Sequence, residues 1–82
     1  FHCFIVTDPA KPAELEDVRH ITHEITMKMI EMGGTCTGEH GIGSGKIQAL
    51  EAETGAPAVS IMRSIKKTLD PNNILNPGKV FN

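Results

Sequence analysis

The sequence predicts an α+β chain, with helices packed on a small sheet and an extended C-terminal arm. Three features of its 82 residues point that way. The chain opens on an apolar run, Phe1-His2-Cys3-Phe4-Ile5-Val6. A long stretch with apolar residues three and four apart follows. The last eleven residues are apolar yet full of Asn, Pro and Gly.

Residues 1–7 read as a buried strand, the character of a short apolar run bounded by a turn signal. Asp8-Pro9 ends it, because proline lacks an N–H and restricts the residue before it. The run has no polar lead-in, so the chain reads as a piece of a longer polypeptide. Pro12 fits the first turn of a helix, with Glu14, Glu16 and Asp17 near its positive end. Leu15, Val18, Ile21, Ile25, Met29 and Met32 form one apolar stripe. Gly33-Gly34 stops this helix, Gly33 being suited to a left-handed cap. Five of residues 34–45 are glycine. Thr35-Cys36-Thr37 fits a second short strand there, followed by a tight turn. A second helix is expected over 46–54, closing at Gly55. A third opens at Pro57, with Val59, Met62, Ile65 and Leu69 facing inward, and ends at Asp70-Pro71. The tail, residues 72–82, is the arm, and its apolar side chains need another surface to lie on. Helix 12–32 would act as a crossover that sets strands 1–7 and 35–37 side by side and parallel.

Composition narrows the function. Eight Lys and Arg stand against ten Asp and Glu, a net charge of −2. Nucleic-acid binding and a polybasic membrane anchor both call for a basic excess and are disfavoured. No run approaches the roughly 20 apolar residues that span a bilayer. A charged stretch followed by an apolar block, the mark of a signal peptide, is missing. Two cysteines are too few for a secreted disulfide scaffold. The expectation is a reducing compartment and a chain that is not secreted. Cytosolic, mitochondrial and peripheral-membrane settings stay open.

The glycine segment fits neither common nucleotide motif. A phosphate loop needs glycine where His40 stands and Ser or Thr where Ile47 stands. The dinucleotide fingerprint needs a wider last spacing than Gly41, Gly43 and Gly45 provide. What remains is Glu39-His40 held between Gly38 and Gly41. A carboxylate offers a hard oxygen ligand to a divalent metal, and an imidazole moves protons near neutral pH. The plainer reading is a solvated turn. His2 is either a hydrogen-bonded core histidine or a further ligand, and the crossover would bring it near Glu39. Catalytic zinc takes three protein ligands, so a third would lie before Phe1 or on another chain. His20 and His23 read as surface histidines, Cys3 as core, and the methionines as packing. A Cys36–His40 nucleophile pair lacks an orienting Asn or Asp.

Three blocks in order resemble a known family: Gly34-Thr35-Cys36-Thr37-Gly38-Glu39-His40-Gly41-Ile42-Gly43 with Lys46, then Leu69-Asp70-Pro71, then Leu75-Asn76-Pro77-Gly78-Lys79. They are similar to the C-terminal end of FAD-linked 2-hydroxy-acid dehydrogenases, the cytochrome-type D-lactate dehydrogenase group of the vanillyl-alcohol oxidase superfamily. The resemblance covers essentially the whole chain. It implies a fragment of an α/β cap, or substrate, domain, residues 1–82, with the N-terminal FAD-binding domain absent. Phe1-His2 looks like the end of the family's His-x-Gly-Asp-Gly-Asn-x-His segment. His2 and Glu39 would then be metal ligands, zinc being the common ion. His40 would be the catalytic base, taking the hydroxyl proton as hydride passes from Cα to flavin N5. Asn76 and Lys79 would face FAD.

The implied substrate is D-lactate or a similar small D-2-hydroxy acid. The hydroxyglutarate enzymes carry Asn where this chain has Phe4, which favours an apolar-tailed substrate. The implied partner is an electron acceptor, whether cytochrome, quinone or flavoprotein, with no nucleic acid. The fragment alone is expected to bind FAD weakly, to turn over no substrate and to self-associate through its uncovered apolar residues. Two other classes stay open: an autonomous divalent-metal module and a purely structural interaction domain.

Overall fold

The computed structural model describes residues 2–81. Three helices appear in order: α1, Pro12–Glu31; α2, Ile47–Thr54; and α3, Ala56–Leu69. The short α2 packs between the other two, touching both.

Local chemistry sets each helix end. At the start of α1 the Asp8 carboxylate accepts the Ala10 N–H at 3.0 Å, and Glu14 reaches back to the Asp8 N–H at 3.1 Å. These two bonds tie the approach to the first turn, as reciprocal capping does. The Asp8 amide, with Lys11 second, holds the Glu14 carboxyl below its ordinary value. At the far end the Gly34 N–H donates to the Met29 carbonyl (2.8 Å) and the Gly33 N–H to the Ile30 carbonyl (3.0 Å), with Gly33 at φ +80. That pair of bonds is the Schellman ending. A Cβ on Gly34 would stand 3.0 Å from the Met29 oxygen, so the close approach itself calls for glycine.

The apolar core is small: Cys36, Ala49, Leu50 and Val59 are buried. α1 buries no residue fully. On its stripe Val18, Ile25 and Met29 are half-buried, while Met32 is exposed. The radius of gyration is 15.1 Å, against about 12 Å for a compact domain of this length.

Several expectations need correction. No strand occurs among the described residues, so the small sheet is not present. Phe1 lies outside them. A strand is stable only with partners, and residues 2–6 run exposed instead, Phe4 at 91% and Val6 at 96%. Thr35-Cys36-Thr37 is barred from a ladder because side chains take both peptide groups of Cys36, as described below. Cys3, expected in the core, is exposed. On α3 the inner face is Val59, Met62, Lys66 and Asp70, while Ile65 and Leu69 join Ile61 on an exposed stripe. Both stripes have helical spacing, and the buried Asp70 decides between them.

The C-terminal arm is a chain of turns and not an extended segment. Asp70, 7% exposed, anchors it. Its carboxylate accepts the Ile74 N–H and the Leu75 N–H, each at 2.9 Å, and pairs with the Lys66 ammonium. Further along, Phe81 N–H donates to the Lys79 carbonyl around Val80 at φ +68. The Val80 N–H in turn reaches the Gly43 carbonyl at 2.7 Å. A β-branched residue at that φ is a genuine outlier held by its surroundings.

Lys66, then the two amides, lower the Asp70 pKa from 3.8 to about 2. A depressed carboxyl stabilises the fold fully above its ordinary value and loses that contribution as pH falls through the folded one. The tail anchor is therefore expected to hold from neutral pH to below pH 3.8 and to fail near pH 2. Asp70→Asn should raise hydrogen-exchange rates of the Ile74 and Leu75 amides roughly tenfold, the scale of one lost charge-assisted bond.

Candidate active site

The extended segment 2–7 runs back along α1. Cys3 and Ile5 line a cavity with Val18, Thr22, Ile25 and Thr26 on that helix. His2 thereby arrives near the C-terminal end of α1, where Gly33-Gly34 turns the chain towards the glycine loop. Within the loop the His40 N–H donates to the Thr37 carbonyl at 3.1 Å. This closes a turn that presents Glu39 and His40 side by side. Gly38 at φ +54 and Gly41 at φ +77 bracket the pair, and side chains rarely adopt those angles.

The result is a three-residue cluster. His2 Nε2 lies 3.3 Å from Glu39 Oε1, and His40 Nε2 lies 3.8 Å from the same oxygen. The two imidazole rings are 5.6 Å apart, tilted by 50°. One donor atom from each residue falls within 4.8 Å of the others. All three side chains are more than half exposed and line the mouth of a cavity of about 610 Å³. Two imidazoles and one carboxylate are a borderline donor set, suited to zinc and similar divalent ions. The cluster therefore fits a divalent cation. The crossover reasoning had two parallel strands bring these groups together, whereas the fold does it with a segment doubling back on a helix. It also sets His40 beside the other two as a third donor.

Asn76 and Lys79 lie elsewhere. They line a separate cavity of about 330 Å³ with Arg63, Lys66, Lys67 and Asn73, at the lower end of ligand-pocket sizes. The cationic rim suits an anionic group such as a diphosphate, and a cavity this size takes only part of a dinucleotide. His20 pairs with Glu24 at 3.4 Å on the exposed face of α1, as a surface histidine.

Below the cluster, the Cys36 peptide is held from both ends. Its N–H donates to Glu53 Oε2 at 2.8 Å, and its carbonyl accepts from Lys46 Nζ at 2.8 Å. Burial first, then the Glu53 carboxylate, push the Cys36 thiol up, so it stays protonated. The Cys36 amide and then its thiol pull the Glu53 carboxyl down. Glu53 carried no local sign in the sequence. Its only signal is position, since Glu53 stands seven residues, about two helical turns, beyond Lys46, the N-cap of α2.

Residues 1–80 match the family described as "FAD linked oxidases, C-terminal domain", and the chain belongs to it. Among curated proteins, 99% of the chain is 48% identical to a probable mitochondrial D-lactate dehydrogenase of Danio rerio, covering 16% of that protein. The same share is 46% identical to a mitochondrial D-lactate dehydrogenase [cytochrome] of Arabidopsis thaliana, covering 14% of it. A glycolate oxidase subunit GlcD of Bacillus subtilis is 44% identical over 98% of the chain and 17% of its own length. The chain thus spans only about 14–17% of these relatives.

The two cysteines should differ in reactivity. Iodoacetamide at mildly alkaline pH is expected to label exposed Cys3 at least about tenfold faster than buried, protonated Cys36. Peptide mass spectrometry of the native chain checks this.

Proposed function

We propose that the chain is the C-terminal part of the cap domain of an FAD-dependent dehydrogenase. That enzyme oxidises D-lactate or a similar small D-2-hydroxy acid to the 2-oxo acid. The observation that carries this is the meeting of His2, Glu39 and His40 at the mouth of one cavity. Family membership and the relatives' names favour it over a free-standing metal module or a purely structural domain.

In this reading His2 and Glu39 would hold a divalent cation, which would polarise the substrate hydroxyl and anchor its carboxylate. His40, beside them, accepts the hydroxyl proton on a ring nitrogen. The glycines on either side leave room for substrate to reach both groups. FAD, bound mainly by a preceding domain, would supply the two-electron acceptor for the Cα hydride. Asn76 and Lys79 would form one edge of its site. A cytochrome, the word carried in the Arabidopsis relative's name, or a quinone or flavoprotein would be the onward electron acceptor.

In the full-length enzyme, His40→Ala should lower D-lactate turnover by about 10²–10⁴-fold, the usual worth of an acid–base group, and Glu39→Ala, which removes a cation ligand, should lower it as well, with flavin absorbance intact in both. Full turnover in both variants would refute the assignment. The isolated 82-residue chain should show no D-lactate:acceptor activity and no tight FAD binding.

Uncovered Ile61, Ile65, Leu69, Ile74 and Leu75 form an apolar surface on α3 and the tail. Such surfaces associate in water. Light scattering of the isolated chain should report species heavier than 8.9 kDa.

A further inference from the structure

We propose that Lys46 and Glu53 are positioning residues which, by gripping the Cys36 peptide, set Glu39 and His40 in register with His2. This rests on the active-site reading above and gives a part in it to two residues, of which Glu53 lies outside every motif block and Lys46 closes the first.

The loop between α1 and α2 cannot define its own path, because its glycines admit many backbone conformations. Its first fixed point after α1 is Cys36, 5% exposed, three residues before Glu39. Both polar groups of that residue's backbone are used. Glu53 accepts the N–H and Lys46 donates to the carbonyl, each at 2.8 Å. Lys46 is the N-cap of α2 and Glu53 sits in its last turn, so the two side chains flank the cysteine from opposite ends of that helix. One holds the peptide group before Cys36 and the other the peptide group after it, which fixes the residue's orientation as well as its place. Next in the chain, the Thr37 carbonyl accepts the His40 N–H and sets the bend itself. A tilt of the Cys36 peptide would therefore pass directly into the Glu39 and His40 side chains. Among the described residues those side chains meet each other and His2 at long distances, 3.3 and 3.8 Å between donor atoms and 5.6 Å between the rings, which leaves their register to the backbone beneath. Lys46 also lines the same cavity.

The test uses the full-length flavoenzyme with D-lactate as substrate and Zn(II) as the metal probe. The variants are Glu53→Ala, Glu53→Gln and Lys46→Met, with Glu39→Ala as reference. Groups that orient a metal's ligands typically change affinity or activity by about 10–100-fold when removed. Glu53→Ala and Lys46→Met should lower kcat per bound flavin by that factor, and Zn(II) affinity of the metal-free enzyme by a similar one. The KM for D-lactate should change less than kcat. The His40 amide should exchange faster in both. Glu53→Gln keeps an oxygen for the Cys36 N–H and should recover most of the loss, and it also serves if Glu53→Ala fails to fold. Wild-type kcat and Zn(II) affinity in the folded Lys46 and Glu53 variants would overturn the proposal. So would a loss that merely tracks lower flavin content and melting temperature. An inactive Glu39→Ala beside fully active Glu53→Ala and Lys46→Met would sink this inference alone. A fully active Glu39→Ala would sink the active-site reading on which it stands.

Discussion

A segment as rich in glycine as the one between α1 and α2 has no shape of its own, and everything at the candidate site depends on how that freedom is removed. Glycine loses more backbone entropy on ordering than any other residue. The restraint comes from the segment's two ends and from the elements around it. The Schellman ending of α1 launches it, side chains of α2 hold its buried cysteine, and the tail meets it at Gly43. Between these fixed points the backbone carries Glu39 and His40 out to meet His2. The glycines leave the backbone free to bend, while the three attachments provide definition.

What the sequence disclosed follows from how local each signal was. Pro12, the stripe from Leu15 to Met32 and Gly33-Gly34 are all local, and α1 forms where they place it. The two strands were not legible because a strand depends on a partner. Residues 2–7 lie against a helix instead, and the backbone of Cys36 is occupied by side chains. On α3 two apolar stripes competed, and periodicity cannot rank them. The choice falls to Asp70, whose buried carboxylate needs Lys66 and the tail amides on the inner side.

The candidate cluster was legible for a different reason. Glu39-His40 stands out because glycine flanks it, and His2 because it is polar within an apolar run. The expected topology was wrong in kind, since no strands pair, yet His2 does reach Glu39. Glu53 stayed hidden, since a glutamate on a helix is ordinary and only the folded loop shows what it holds. The scattered core and the exposed stripe on α3 fit a chain that supplies one wall of a larger enclosure, in keeping with relatives six to seven times its length.

The bond from the Val80 amide to the Gly43 carbonyl has a practical side. It brings the last described residues within three positions of His40 along the loop. Tail and loop are therefore one hydrogen-bonded unit: a change that frees the Val80 amide also slackens the backbone three residues from His40.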